Sequence, residues 1–346
     1  VECKLMKNAS SSSPLISVII TNKNALRWLR KCLTSLKQQS YKNFEVIFVD
    51  NNSTDKSLQL VESKFRWVKT VKNERDEGYA KANNIGALKA KGSYLLLMNT
   101  DSYLEKNTLQ KLSSLLIKHP EYRLMQLDEK EYDKSPLPDR YLIFSMDCFG
   151  YPIGTNGRGP IFYADGAGLV ISAKLFKKLN GYDEKFYMYL EDMDLSWRAR
   201  MSGEDVFFLK DVFVYHATGG TSIPTHTNTT LYTTTLNRRY HAQKNNLRAL
   251  IKNYSVINIL WSLPVSILLA SLEGSLYLLR GNILGFAALH NAIWWNITNL
   301  PDTLLERKRV QKMRKVSDRF ILVKTVKTIS KFQSLIHFGI PQMKNL

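Results

Sequence analysis

Cysteine is nearly missing from this 346-residue sequence: Cys3, Cys32 and Cys148 are widely spaced, odd in number and form no CxxC pair. That argues against a disulfide framework or a structural zinc site and for a reducing compartment. The opening VECKLMKNASSSS lacks the apolar core of a signal peptide, so secretion is not expected. Its serine run reads as a disordered tail over residues 1–14. No GxGxxG or GxxxxGK[ST] follows an apolar run, so no glycine loop is there to cradle a phosphate. GxSxG and HExxH are missing too, which makes serine hydrolases and zincins poor fits. Acids run short at one end: residues 237–346 hold 17 Lys/Arg against 4 Asp/Glu, most of the chain's net charge of +19.

What is present begins with short β-branched and aromatic runs, LISVIIT (15–21) and FEVIFV (44–49), typical of buried parallel strands. Between them Leu26, Leu29, Leu33 and Leu36 recur at helical spacing, giving a βαβ unit. The alternation continues with a strand near 67–71, a helix over 78–90, a strand at 94–98 and a helix near 105–118. This predicts an α/β fold, a Rossmann-like, mostly parallel sheet flanked by helices, with ligands at the carboxyl ends of the strands. Residues 122–165 break the rhythm and read as a less regular insertion, before a strand at 166–171, a helix after Leu190 and a strand pair around 206–215. Nine threonines with Gly219 and Gly220 give 217–235 the composition of a mobile lid.

Beyond Tyr254 the character changes. Ser255–Leu272, interrupted by Pro264, and Ile283–Leu300 are each free of acids and of Lys/Arg, and Arg307, Lys308, Arg309, Lys312, Arg314 and Lys315 follow. Apolar helices beside a basic cluster fit an interfacial anchor on anionic lipid, with Trp261, Trp294 and Trp295 at the headgroup boundary. A two-helix hairpin through the bilayer and a buried helical subdomain or dimer interface are the competing readings. The division expected is a catalytic domain over 15–235 and a helical, basic, membrane-associating region over 236–346.

The strand ends are polar: Thr21-Asn22 after the first, Asp50 to Asp55 after the second, Asn99-Thr100-Asp101 after the strand at 94–98. A nucleotide bound there needs its diphosphate charge offset, and an Asp beside Mg²⁺ or Mn²⁺ does that with hard oxygen ligands. Asp101 is the candidate; Asn-Thr-Asp also serves as an ordinary turn or cap. In GYDEKFYMYLEDMDLSWRAR (181–200), Met193, Trp197 and Met201 form one apolar stripe from Leu190. At about 100° per residue Asp194 falls near that stripe and Asp192 nearly opposite. Asp194 is then the structural carboxylate and Asp192 the one facing a cleft.

SVIITNKNA (17–25), VDNNSTD (49–55), GYAKANNIGA (78–87), MNTD (98–101), DGAGLVI (165–171) and YLEDMDLSWRAR (189–200) stand in the order seen in family 2 glycosyltransferases. The chain resembles that family over roughly residues 15–220, and most nearly its rhamnosyltransferase-like branch. The resemblance implies a GT-A fold and sugar transfer from a nucleotide-sugar with inversion. It makes Asp50 the acceptor for the base N–H, with Thr21 and Asn24 beside the base. Gly78, Asn83 and Asn84 would lie along nucleotide and sugar. Asn52, Thr100, Arg158, Asp165 and Gly166 would complete the donor contacts. Asn99 stands where many members carry Asp, and Asp101 and His216 would hold the metal. Asp192 matches the catalytic base, with Glu191 as its alternate, and the helix start favours an ionised Asp192. Arg238 or Arg239 would assist the leaving diphosphate.

The expectation is therefore an inverting, metal-dependent transferase at the cytoplasmic face of a membrane. It would move a sugar such as rhamnose from a dTDP- or UDP-linked donor to a lipid-linked or polysaccharide acceptor, as a monomer or homodimer, without nucleic acid. A polyprenyl-phosphate sugar transferase, a nucleotidyltransferase, a nucleic-acid binder and a non-catalytic membrane scaffold are the rival readings.

Overall fold

The computed structural model describes residues 13–132, 142–156, 159–217 and 233–344. The first part alternates: β1 (Ile16–Asn22), α1 (Leu26–Lys37), β2 (Phe44–Asp50), α2 (Ser57–Lys64), β3 (Lys69–Lys72), α3 (Gly78–Lys89), β4 (Tyr94–Asn99), β5 (Ser102–Leu104) and α4 (Thr108–Lys118). The middle holds β6 (Leu124–Glu131), β7 (Leu142–Met146), β8 (Pro152–Asn156), β9 (Leu169–Ser172), α5 (Ala173–Lys178), α6 (Glu191–Met201) and β10 (Phe207–His216). The last part holds β11 (Thr233–Thr235), α7 (Leu236–Asn253), α8 (Val256–Leu279), α9 (Ile283–Thr298), α10 (Leu300–Lys312), α11 (Asp318–Leu322), α12 (Ser330–Phe338) and β12 (Gln342–Lys344).

Eight strands form one sheet in the order β3-β2-β1-β4-β9-β6-β10-β5. The β3-β2-β1-β4 half is parallel, whereas β9 runs antiparallel to both β4 and β6, and β5 antiparallel to β10. Strand side chains alternate between faces. Val18, Ile20, Leu96 and Met98 pack on one side against Leu29 and Leu33 of α1 and Leu109 and Leu112 of α4. Ile19, Leu95 and Leu97 point to the other side, into the core built by Met193 and Trp197 of α6 and Tyr254 after α7. The parallel register sets Asn22 beside Asp50 and Thr21 beside Asn99, so three strand ends meet at one edge.

Three expectations need correction. The supposed irregular insertion contains β6, an interior strand paired with β9 and β10, and the hairpin β7–β8. Buried Gln126, Asp128 and Glu129 break the apolar pattern that would have marked β6. The strand pair around 206–215 is the single strand β10, whose register shifts between Leu209 and Phe213 with Asp211 at φ 66°. Pro264 does not interrupt its helix: α8 runs through it for 24 residues, forgoing one backbone hydrogen bond. It also continues past Glu273, whose charge is matched by Arg239 and Lys331. Most of the threonine-rich segment (218–232) and Arg158 lie outside the described residues, as do residues 1–12 of the predicted tail.

The C-terminal helices fold back onto the sheet domain. Asp147 accepts from the backbone N–H groups of Phe149, Tyr151 and Ser330, and β12 pairs with β11. α7 is the buried link. Its Lys252 reaches Asp183 and Asp194 at 2.6 and 2.9 Å, and its Arg248 reaches Asp183 at 2.9 Å.

Candidate active site

The polar strand ends form a connected wall. Asp50 is buried; it accepts from Asn22 Nδ2 at 3.3 Å and from the Ser53 N–H at 3.1 Å. Asn51 accepts from Asn73 Nδ2 and the Glu77 N–H, and donates to Asp76 at 2.7 Å. Asp76 in turn receives the N–H of Gly78. Asn24, exposed, and Asn52, half-buried, lie on the rim of this wall with φ of 51° and 57°; the Asn24 side chain takes the N–H of Thr54 at 2.7 Å. Gly78 itself has φ 75°, and a Cβ there would strike Tyr187. The Thr21 hydroxyl and the Asn83 carbonyl are buried without a hydrogen-bond partner among the described residues, a state that buried polar groups rarely keep unless a ligand or water serves them.

Beside this wall lies a dense acidic cluster. One ligand atom each of Glu129, Asp165 and His216 falls within 4.8 Å of the others. His216 Nδ1 meets Glu129 at 2.8 Å and its Nε2 meets Asp101 at 3.4 Å. Asn99, in β4, holds the same Nε2 at 3.3 Å and accepts from Tyr79. Burial opposes a charged imidazole, yet Glu129 and Asp101 outweigh it and hold His216 well above the ordinary histidine range. Burial, followed by Glu129 and Asp192, pushes Asp165 up to about 8. Crowded, dehydrated carboxylates with a histidine are a donor set suited to a divalent cation, which would remove the repulsion. Glu129 Oε2, buried and unpartnered, is a ready additional donor.

The two carboxylates at the start of α6 close the site. Asp192 Oδ2 accepts from the Gly166 N–H at 3.1 Å and Oδ1 from the Met193 N–H at 2.7 Å. Gly166 is the neighbour of Asp165, so one residue separates the cation-type cluster from Asp192. α6 has no open face: every residue from Glu191 to Met201 is buried. Asp194 does turn into the core, onto Arg198 and Lys252. Asp192 points away from that network but is covered by Gly166 rather than by solvent. Burial consequently outweighs the helix start, and Asp192 rises to about 6 despite its two backbone donors. Burial and the charge of Asp192 push Glu191 well above the ordinary range.

The turn before α6 is strained. Tyr187, Tyr189 and Leu190 have φ of 64°, 69° and 64°, a left-handed conformation costing about 1–2 kcal/mol for each such residue. The predicted residues thus divide. Thr21, Asp50, Asn99, Asp101, Asp165, Gly166, Glu191, Asp192 and His216 converge on the strand-end edge and its acidic cluster, with Gly78 and Asn83 on α3 above it. Thr100 is buried between Asn99 and Asp101. Asn84 turns instead to the backbone of Tyr182, accepting at 2.8 Å and donating at 2.9 Å. Arg239 is drawn to Glu273, while Arg238 lies over the Tyr189 ring. Glu129 was missed: it sits in the strand that the sequence pattern concealed.

A curled, mixed α/β sheet with an acidic cluster and a polar wall at its carboxyl edge defines a GT-A-like fold. Residues 17–179 match the family model described as Glycosyl transferase family 2. An uncharacterized glycosyltransferase of Haemophilus influenzae is 34% identical over 109 residues, 31% of this chain and 44% of that protein. The poly(ribitol-phosphate) beta-N-acetylglucosaminyltransferase TarS of Staphylococcus aureus is 27% identical over 208 residues, 58% of this chain and 35% of that protein. The chain therefore spans less than half the length of these curated relatives. The crystal structure of GalNAc-T7 with UDP, GalNAc and Mn²⁺ shares the fold at a TM-score of 0.58 and 16% identity, covering 95% of this chain and 59% of that one. The family match covers residues 17–179, and the structural likeness shows the fold.

Proposed function

We propose that the protein transfers a sugar from a nucleoside-diphosphate sugar to an acceptor hydroxyl with inversion. The observation that carries this reading is the spacing of Asp192 from the cation-type cluster: its carboxylate bonds Gly166, next to Asp165. Leaving-group stabilisation and proton removal thus sit side by side. Asp101, Asp165, His216 and Glu129 are the residues to hold Mg²⁺ or Mn²⁺, and the ion would offset charge on the departing diphosphate. Asp50 receives the base N–H of a UDP- or dTDP-linked donor, with Thr21 and Asn83 offering their unpartnered oxygens. Asp192, ionised above about pH 6, takes the hydroxyl proton as the hydroxyl attacks the anomeric carbon. Glu191 is held well above the ordinary range by burial and by the charge of Asp192, which disfavours it as the ionised base.

GalNAc-T7 is described with UDP, GalNAc and Mn²⁺, which fits a nucleotide-sugar donor, and TarS by name modifies a polymer, which fits a polysaccharide acceptor; a lipid-linked acceptor is the alternative. Rhamnose as the sugar rests on the sequence resemblance. α8 is the one helix among the described residues long and apolar enough to cross a membrane, with a mean hydropathy of 1.7 and 17% of that window buried. Val256, Ile257, Leu260, Leu268 and Leu272 are exposed along it, a contiguous apolar face of the kind that marks an interaction surface. With 13 net positive charges in residues 237–346, this face supports a peripheral seat on the anionic cytoplasmic leaflet.

The test is a panel of UDP-, dTDP- and GDP-sugars, with Mg²⁺ or Mn²⁺ and with chelator, read as nucleoside-diphosphate release. Asp192→Asn should lower turnover by about 10²–10⁴-fold while nucleotide binding persists. Normal turnover in that variant would remove Asp192 as the base and favour an acceptor needing none, such as a polyprenyl phosphate.

A further inference from the structure

We infer that Asn245 of α7 is a positioning residue for the Glu191–Asp192 pair, a conclusion that rests on the sugar-transfer reading and deepens it. Asn245 is fully buried. Its Nδ2 lies 3.0, 2.8 and 2.7 Å from the carbonyl oxygens of Phe186, Met188 and Tyr189. Two N–H groups thus serve three carbonyls of the one turn in which Tyr187, Tyr189 and Leu190 are left-handed. The Phe186 carbonyl also takes the Met188 N–H at 2.7 Å, whereas Asn245 is the side chain that serves the carbonyls of Met188 and Tyr189, next to α6.

The turn ends on Leu190, the residue immediately before Glu191, and Leu190 supplies no side-chain cap to α6. A relaxation of Tyr189 or Leu190 to ordinary φ would swing the start of α6 and lift Asp192 off Gly166. Neighbouring groups of α7 pin the stretch that leads into this turn. Lys244 Nζ donates to the Lys185 carbonyl at 2.7 Å, and Arg248 grips Asp183 at 2.9 Å. α7 is itself anchored from behind, since Asn296 of α9 donates to the Lys244 carbonyl at 2.9 Å. Only a carboxamide meets these demands at this size, because aspartate has no N–H to give and leucine has no polar atom.

Asn246, next in sequence and equally buried, provides the control. It bonds the Phe149 carbonyl at 3.0 Å and accepts from Ser266, so its loss removes comparable structural bonds without touching the turn. The full chain is assayed for nucleoside-diphosphate release from the donor panel, with water as acceptor, and for UDP binding by calorimetry. Asn245→Ala should lower kcat by about 10²-fold with donor KM and UDP affinity within about twofold of wild type. Asn246→Ala should lower the melting temperature to a similar degree and leave kcat nearly unchanged. Wild-type kcat in Asn245→Ala, or equal losses of kcat in both variants, would overturn the inference. A wild-type chain inactive toward every donor would sink the transferase reading first, and the inference with it. Should Asn245→Ala fail to fold, Asn245→Ser keeps a shorter donor, and an intermediate kcat is expected from it against an unchanged one if Asn245 does not position the pair.

Discussion

Lys252 Nζ and Asp194 Oδ1 meet at 2.9 Å with neither side chain exposed to solvent. The same ammonium reaches Asp183 at 2.6 Å, so one cation of α7 neutralises carboxylates at both ends of the segment that precedes and opens α6. Arg198 and Arg248 complete the network. Removing Lys252 leaves buried carboxylate charge short of a partner. Lys252→Met is expected to cost about 3–5 kcal/mol of stability, measured by urea denaturation; a loss below about 1 kcal/mol, the scale of an exposed pair, would contradict this.

The pH dependence of turnover should carry the signature of a buried base. An unperturbed aspartate titrates near 3.9, whereas Asp192 is raised to about 6. Protonation inactivates a base, so activity is full above that value and falls as pH drops through it, roughly tenfold per unit beyond. A kcat profile that stays flat down to pH 4 would rule out this environment for the acting base.

Glu129 is predicted to matter for metal rather than for nucleotide base recognition. Outer-shell partners alone are worth about 10–100-fold in metal affinity, so Glu129→Gln should weaken Mn²⁺ binding by at least that much. Titration calorimetry with Mn²⁺ reads the effect directly. Unchanged Mn²⁺ affinity would place the ion on Asp101 without the β6 carboxylate.

The exposed face of α8 gives a prediction separable from folding. Leu260 and Leu268 are both more than half exposed, at 67% and 56%, so Leu260→Glu with Leu268→Glu should leave the melting temperature within a few degrees. Co-sedimentation with vesicles containing phosphatidylglycerol should be lost. Persistent co-sedimentation would refute the membrane seat, and a dimer dissolved by the same substitutions would assign the face to a second copy of the chain.

Much of the architecture was legible because its determinants are local. The β-branched runs of β1 and β2 and the leucine spacing of α1 announce themselves, and Asp50, Asp101 and His216 are visible because they end a strand or directly follow one. Asp194 was separated from Asp192 by helical angle alone, and the ion pairs with Arg198 and Lys252 follow that geometry. Long-range determinants were not legible. β6 carries buried Gln126, Asp128 and Glu129 whose partners come from β10 and the loop before β9, so its polarity imitates a loop. The left-handed turn at Tyr187–Leu190 has no sequence mark, since none of the three residues is glycine or asparagine. Its cause lies more than fifty residues downstream on α7. The covering of Asp192 by Gly166 likewise joins distant segments, and with it the rise of that carboxyl to about 6.

The ties that α7 makes to the turn before α6 bear on where this protein can be cut. Likeness to the family model ends at residue 179, and the last strand of the sheet ends at His216. A fragment trimmed at residue 179 would lose Asp192 and His216 outright, and one trimmed at residue 216 would keep them but lose the amide and the cations of α7 that shape the approach to Asp192. On the sugar-transfer reading, the smallest working piece would have to reach past Asn253, with α9 and α10 behind it, so the apolar C-terminal helices would travel with the chemistry rather than form a detachable handle.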